Sequence, residues 1–342
     1  MFKYVLKRIG FALFTIVIII TITFLLMKSL PAEVPPIKGQ DIAYCEKQVY
    51  LGYFYRFSEE HPEYGAAVLM PKEGNPYYYY KVPAHIQYFK WVRNIVTKWE
   101  WGVSEKIEPN VNVTVIIGQR MPNSLKLNII STVFAVPIGI LLGIWAALKK
   151  NTLTDHIIST AVMVFISIPS FVLISIMILV LGYRLGWLPT QWPNAGASFS
   201  KVALAHIIPV FCLSFGSICG YCRFVRAELC EVMESDYLLL ARTKGLTKSQ
   251  SIVRHALRNA FVPILPSILA EFIGVLGGSM ILESLYAING IGSLFITAIK
   301  SKDYNVLFVD MAIFTTIGLL ANIVLDISYG FIDPRIRMGA KK

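Results

Sequence analysis

The chain has little charge and no phosphate-binding loop. Only 15% of its 342 residues are Asp, Glu, Lys or Arg, where a soluble domain carries about 25%. No Gly is followed by Lys anywhere in the chain. The G-x-x-x-x-G-K-[ST] cradle, whose backbone N–H groups and Lys hold nucleotide phosphates, is therefore missing. That excludes ATP hydrolysis by this machinery, so energy for uphill work must come from a partner or a gradient. H-E-x-x-H, G-x-S-x-G and a two-Asp membrane motif are also missing, which removes the familiar hydrolase signatures. Cysteine is scarce: Cys45 stands alone, and Cys212, Cys219, Cys222 and Cys230 cluster in and below one apolar run. These do not make a disulfide framework. Cys219 and Cys222 form a C-x-x-C, but without a second pair or a His cluster they read as small packing residues. No repeat of 20–50 residues is visible.

What the chain has is apolar length. Hydrophobic residues make up 55% and mean hydropathy is +0.59. A bilayer span needs about 20 mainly apolar residues, and six stretches qualify: Ile9–Leu30, Asn123–Leu148, Asp155–Gly182, Val202–Cys222, Ala260–Tyr286 and Val306–Gly330. In lipid the backbone must satisfy its own hydrogen bonds, so each is expected to be a helix. The reading is an all-α polytopic membrane protein with six transmembrane helices, kinked at or near Pro137, Pro169, Pro209, Pro263 and Pro266. The first run exceeds a signal-peptide core of about 7–15 residues and lacks a small-residue cleavage site, so it reads as a retained helix.

Four regions follow. Residues 1–30 hold the cytoplasmic N-terminus and first helix, and 31–122 an extracytoplasmic insertion. Residues 123–330 hold helices two to six with a cytoplasmic loop over 233–259, and 331–342 form a cytoplasmic tail. With an inside N-terminus, sixteen Lys and Arg fall in the inner segments and four in the two short outer loops. That is the positive-inside pattern. The net charge of +11 is thus topological and does not argue for nucleic acid.

The insertion is balanced, with ten basic and ten acidic residues, and rich in Tyr, Phe and Trp. That is enough apolar area for a small folded unit. Ile86–Trp99 reads as an amphipathic helix with Phe89, Val92 and Val96 on its apolar side. Val111–Ile117 alternates as a strand does, and Val113-Thr114-Val115 equally suits a helix start. The aromatics form either a rim toward a partner or substrate, or the unit's own core and headgroup belt.

The polar segment between the fourth and fifth spans is the most informative. Tyr237, Leu240, Ala241 and Lys244 share helical spacing, and Gly245 suits the left-handed residue that ends such a helix. Thr247 and Gln250 make a capping box that starts a second helix. That helix carries Ile252, Val253, Ala256 and Leu257 on one side, Arg254 and Arg258 on the other. Two short helices at a glycine elbow make either a lever for a docking partner or a pair resting on anionic headgroups.

The string Asp236, Tyr237, Leu238–Leu240, Ala241, Arg242, Thr243, Lys244, Gly245, Leu246, then Arg254, His255, Ala256, Leu257, Arg258, Asn259 and Pro263 resembles the EAA loop of ABC importer permeases. It takes the form typical of the dipeptide/oligopeptide/nickel branch. Leu239 and Leu240 stand where the general motif has Glu and Ala, and Arg258 where it has Pro. The resemblance covers nearly the whole chain apart from the early insertion. It implies the type I importer permease fold and a bacterial inner-membrane location. It implies these partners: a second homologous permease subunit, two cytoplasmic ATPase subunits that bind ATP and Mg, and an extracytoplasmic substrate-binding protein. The cargo it implies is a short peptide, with nickel or another small solute as alternative. In this chain it implies no cofactor, no metal and no catalytic residue. The coupling residues it assigns are Asp236, Tyr237, Ala241, Lys244, Gly245, Arg254, His255, Leu257 and Asn259.

Ionisable residues within spans are costly in lipid and usually face a cavity or a partner. His206, Glu271, Glu283, Asp310 and Asp326 qualify. Glu271 lies deepest and leads as a translocation-path residue, with a satisfied interhelical hydrogen bond as the alternative. His206 and Glu283 are the other path candidates. Glu283, ahead of Asn289-Gly290-Ile291-Gly292, resembles the family's Glu-plus-glycine turn, and Asp333-Pro334-Arg335 its closing segment. Gly274, Gly277, Gly278 and Ser279 suit a close helix seam, within one subunit or toward a sister permease. The rival classes are a proton-coupled carrier, which would show paired repeats, and a membrane-embedded hydrolase acting through His206 or a carboxylate.

Overall fold

The computed structural model describes residues 2–29, 41–72, 74–194, 196–274 and 279–332. Its helices are α1 (Phe2–Ser29), α2 (Asp41–Leu51), α3 (Ala84–Lys98), α4 (Val113–Leu148), α5 (Leu153–Ile166), α6 (Ser170–Met177) and α7 (Phe199–Met233). Then come α8 (Asp236–Thr243), α9 (Lys248–Ser251), α10 (Leu257–Gly274), α11 (Met280–Leu285), α12 (Ile291–Ser301) and α13 (Tyr304–Ile332). Strands β1 (Phe54–Phe57) and β2 (Tyr78–Lys81), a 3-10 turn (Pro62–Tyr64) and two π-helical turns (Ile178–Arg184 and Ile252–Ala256) complete the described elements.

Among the described residues four stretches are long and apolar enough to cross a membrane: Leu6–Ser29, Val113–Leu148, Phe199–Met233 and Tyr304–Ser328. The third expected span is broken: Leu153–Ile166 and Ser170–Arg184 meet at 94° and make a fifth crossing only if counted together. Pro169 is the cause. It has no N–H to continue the ladder and drives the preceding residue out of the helical region. Pro169 itself is extended (φ −60°, ψ 139°) at the start of α6. The expected span Ala260–Tyr286 is α10 and α11, with 275–278 outside the described residues. So does the closing Asp333-Pro334-Arg335 segment, with the rest of the tail. By contrast α7 continues through Pro209 and α10 through Pro263 and Pro266.

The chain divides into two compact units. One comprises Met1–Arg8, Asn123–Gly292 and Gly318–Lys342. Here α7 packs against α5, α6 and α10. Leu127, Ile174, Ile208, Cys212, Leu282 and Tyr286 form one apolar core. Ala147, Leu229, Cys230, Leu238, Ile252, Ala256 and Ala260 form another. Arg226 clamps the buried Asp155 through Nε and Nη2 at 2.6 and 2.8 Å. Arg8 pairs with Asp326 at 2.9 Å. All five cysteines of the chain are buried free thiols, Cys219 and Cys222 included.

The other unit is Ile9–Pro122 with Ser293–Ile317. Its core joins Phe24, Tyr44, Phe54, Tyr79, Trp91 and Trp101 to Val306 and Val309. It is not purely helical. β1 and β2 pair antiparallel, Phe54 opposite Lys81 and Phe57 opposite Tyr78, as aromatic runs favour. Val113–Ile117 resolves as helix, because Val113, Ile116 and Ile117 bury one face at helical spacing. In α3 the buried side is Gln87, Trp91 and Ile95, while the expected Phe89 and Val96 face out. On that buried side the Trp91 indole donates to the Trp101 carbonyl at 2.7 Å.

Candidate functional site

Two features of the first unit carry functional geometry: the elbow between α8 and α10, and a polar cleft beside α10.

The elbow begins at Ser235. Within α8 only Leu238 is buried, against Leu229, Cys230 and Ile252. Tyr237, Leu239 and Leu240 point outward, 44%, 62% and 56% exposed. The face that carries Tyr237 and Leu240 is thus the free one, and Ala241 is half-buried. Lys244 ends α8 and Gly245 follows at φ +93°, a region that L side chains rarely enter. Thr247 Oγ1 then accepts the Gln250 N–H at 3.3 Å, and Gln250 Oε1 accepts the Thr247 N–H at 3.1 Å. This is the reciprocal capping box.

The second arm is not a separate short helix. α9 passes through a π-helical turn, Ile252–Ala256, straight into α10. Ile252 and Ala256 are buried, and Val253, Arg254, His255 and Asn259 are exposed. Leu257 is half-buried and Asp236 exposed. The exposed side therefore mixes Tyr237, Leu239, Leu240 and Val253 with Arg242, Lys244, Arg254 and Arg258. An apolar patch rimmed by cations has the composition of a protein-binding surface and equally of a helix pair on anionic headgroups.

The cleft is about 380 Å³ and draws on three helices. α4 supplies Asn128, Ser131 and Thr132, α7 supplies Ser217, and α10 supplies Ser267 and Glu271. The Ser217 hydroxyl donates to Glu271 Oε1 at 2.5 Å. Tyr221 donates to the Ser267 carbonyl at 3.0 Å. Glu271 is thus held by one interhelical hydrogen bond and still borders open space, so both readings of it are met in one place. Asn128, Ser131, Thr132 and Ala135 escaped the sequence reading, though they recur at i, i+3, i+4 and i+7. That is the helical period marking a shared face.

His206 and Glu283 do not line this cleft. The His206 Nδ1–H donates to the Val202 carbonyl at 2.7 Å, and its ring packs on Trp192, centroids 4.7 Å apart. Glu283 is buried and accepts from Ser124 Oγ at 2.8 Å and Ser279 N at 3.2 Å. Ser124 Oγ in turn accepts the Ile291 N–H at 2.9 Å. Glu283 thereby ties α4 to the Asn289–Gly290 turn. Among the described residues no group of His, Cys, Asp and Glu is disposed to hold a metal ion.

The sequence model for the binding-protein-dependent transport system inner membrane component matches residues 139–338, which include the elbow. The chain is 32% identical to the oligopeptide transport system permease protein OppB of Haemophilus influenzae, across 98% of this chain and 100% of that protein. It is 32% identical to the dipeptide transport system permease protein DppB of Lactococcus lactis, across 99% and 100%. Among solved structures, the inward-facing MetNI methionine ABC transporter aligns over 64% of this chain and 97% of that one, with TM-score 0.51 and 18% identity. The chain belongs to the family of binding-protein-dependent transport system inner membrane components, with the polytopic permease fold of ABC importers.

Proposed function

We propose that this chain forms half of the translocation pathway of an ATP-driven importer of short peptides. The elbow of Asp236–Asn259 docks on a cytoplasmic ATPase subunit. The observation that carries the reading is the unbroken path from the Thr247 capping box through α9 and the π-helical turn into α10, the helix that brings Ser267 and Glu271 to the cleft. A partner that binds the exposed apolar face differently in two nucleotide states biases the cleft between two arrangements. Closure of the ATPases moves the elbow at Gly245 and opens the cleft outward, and hydrolysis resets it.

The other parts follow from the same reading. A second, homologous permease completes the pore, and a pair of ATPase subunits supplies ATP and Mg. An extracytoplasmic binding protein delivers cargo, and both termini lie in the cytoplasm. The oligopeptide and dipeptide names of the full-length relatives support peptide as cargo, and nickel or another small solute is the alternative. The cleft's small hydroxyl and amide groups, with one carboxylate, suit hydrogen bonding to a varied backbone more than selection of one side chain.

The test is a mild-detergent pull-down of the tagged chain from its native membrane, with co-purifying subunits identified and ATPase activity assayed. Recovery of a second permease and P-loop subunits supports the importer. A chain that emerges alone, or only with itself, and without ATPase activity returns the carrier and hydrolase readings to the lead.

A further inference from the structure

The second unit contains a cavity that the transport reading does not use. It measures about 540 Å³, inside the roughly 300–1,000 Å³ range of small-molecule sites. Phe24, Tyr53, Trp91 and Trp101 give it aromatic walls, and two residues of each sign, Lys28 and Lys81, Glu63 and Glu105, line it. The Lys28 ammonium stands 5.7 and 5.6 Å from the ring centroids of Phe24 and Tyr53. Glu105 Oε1 accepts from the Tyr44 hydroxyl at 3.3 Å and from Asn305 Nδ2 at 3.2 Å, so the carboxylate is held from two sides.

Two further observations mark the cavity as more than a packing gap. Gln87 and Trp101, only 5% and 4% exposed, both line it. Gln87 Oε1 and Trp101 Nε1 lack hydrogen-bond partners, and buried polar atoms are rarely left so. Burial, and then the nearby Asp303 carboxylate, also raise the Glu105 pKa. A cation placed in the cavity relieves that stress.

We infer that this cavity binds a small zwitterion, an amino acid or dipeptide, with its carboxylate toward Lys28, its ammonium toward Glu105 and its apolar body against the aromatic walls. A point charge of either sign satisfies only one end, and an uncharged apolar ligand leaves both ends desolvated. The site lies within the second unit and shares no lining residue with the cleft, so the inference stands whether or not the cleft carries peptides.

Calorimetric titration of the full chain in lipid nanodiscs tests it, with the dipeptide Ala-Phe as probe and its N-acetylated amide as the uncharged control. Saturable binding of Ala-Phe is expected, weakened about tenfold or more in the capped analogue, since hydrogen bonds to charged groups are worth that much. Lys28→Met and Glu105→Gln should each weaken Ala-Phe to a similar degree. Glu271→Gln should leave this binding as it is, which separates the cavity from the cleft. No measurable binding overturns the inference, and so does equal affinity for the capped analogue. Loss of binding in Glu271→Gln, with Lys28→Met and Glu105→Gln unaffected, assigns the ligand to the cleft and overturns it as well. If the cavity variants fail to fold, the comparison of charged and capped ligands repeated on Glu271→Gln decides: a preference for the charged ligand that survives there supports the cavity, and one lost there overturns the inference.

Discussion

The Asp303 carboxylate accepts the Ser104 hydroxyl at 2.6 Å, across 199 positions of sequence. The same oxygen, Oδ2, accepts the backbone N–H groups of Glu105, Lys106 and Ile107 at 3.1, 2.9 and 3.1 Å. Its other oxygen reaches the Val306 N–H at 3.4 Å, at the first turn of α13. One fully buried carboxylate therefore fastens the insertion's 104–107 turn to the α12–α13 corner.

Asp303→Ala strands four backbone donors and a hydroxyl. Each buried orphan costs about 1–3 kcal/mol, so the expected loss is about 3 kcal/mol or more, against about 1 kcal/mol for Ser104→Ala. Thermal unfolding of both variants in one detergent checks this. Equal shifts in Tm would mean that the backbone donors find water and that the carboxylate is not the fastener.

Gly290 lies against a second such node. A Cβ at this position would overlap both Glu283 Oε2 and Ser124 Oγ. Gly290→Ala is expected to destabilise by about 1–3 kcal/mol and to lower the folded yield. Gly318, helical in α13 and with open space around it, is the comparison. Its change to Ala should be neutral or stabilising by about 0.5–1 kcal/mol. The ranking of the two Tm values tests the crowding, and a harmless Gly290→Ala refutes it.

These nodes show where sequence reading stops. Apolar runs announced the helices, because span length and backbone satisfaction are local demands. The Thr247–Gln250 capping box was legible for the same reason, with both partners three residues apart. The Ser104–Asp303 clip and the Ser124–Glu283 bond join residues more than 150 positions apart, and no local pattern encodes them. Helical spacing groups Tyr237 with Leu240 on one face, but does not tell that Leu238 takes the buried place and leaves that face exposed. In a chain with docking surfaces, periodicity marks an apolar face without saying whether the fold or a partner covers it. Glu271 was found from its charge alone, but its cleft neighbours are uncharged, and only geometry gathers them.

Gly245→Leu tests the elbow. Nothing lies within 4 Å of a Cβ built there, so the penalty is conformational, roughly 1–2 kcal/mol for a side chain in the left-handed region. Membrane insertion and yield should persist, while uptake and its coupling to ATPase activity fall. Gly245→Asn, which tolerates that backbone better, should recover part of the loss. Normal uptake in the Leu variant would count against the lever.

Glu271→Gln separates charge from packing. The Gln side-chain oxygen still accepts the Ser217 hydroxyl, so assembly and Tm should hold within about 0.5 kcal/mol. Transport, measured as labelled peptide uptake into proteoliposomes of the assembled complex, should change severalfold. Unchanged transport would return Glu271 to a packing role.

Glu105 makes a prediction with a definite sign. Burial, and then Asp303, raise its pKa above the ordinary value of 4.5, while Tyr44 and Lys28 act the other way. Between 4.5 and the raised value the folded chain holds more protons than the unfolded one. By linkage, stability then falls as pH rises through that window, and the ionised group remains a net burden above it. Glu105→Gln removes the charge and keeps an oxygen to accept from Tyr44 and Asn305. The variant should therefore unfold at a higher temperature than the unaltered chain at neutral pH. The gap should close as pH falls toward about 4, where the native carboxyl is itself protonated. Unfolding scans of ligand-free protein across that pH range read the difference directly. A gap that stays constant, or that favours the native Glu at neutral pH, would show that Lys28 and the Tyr44 hydroxyl outweigh the burial.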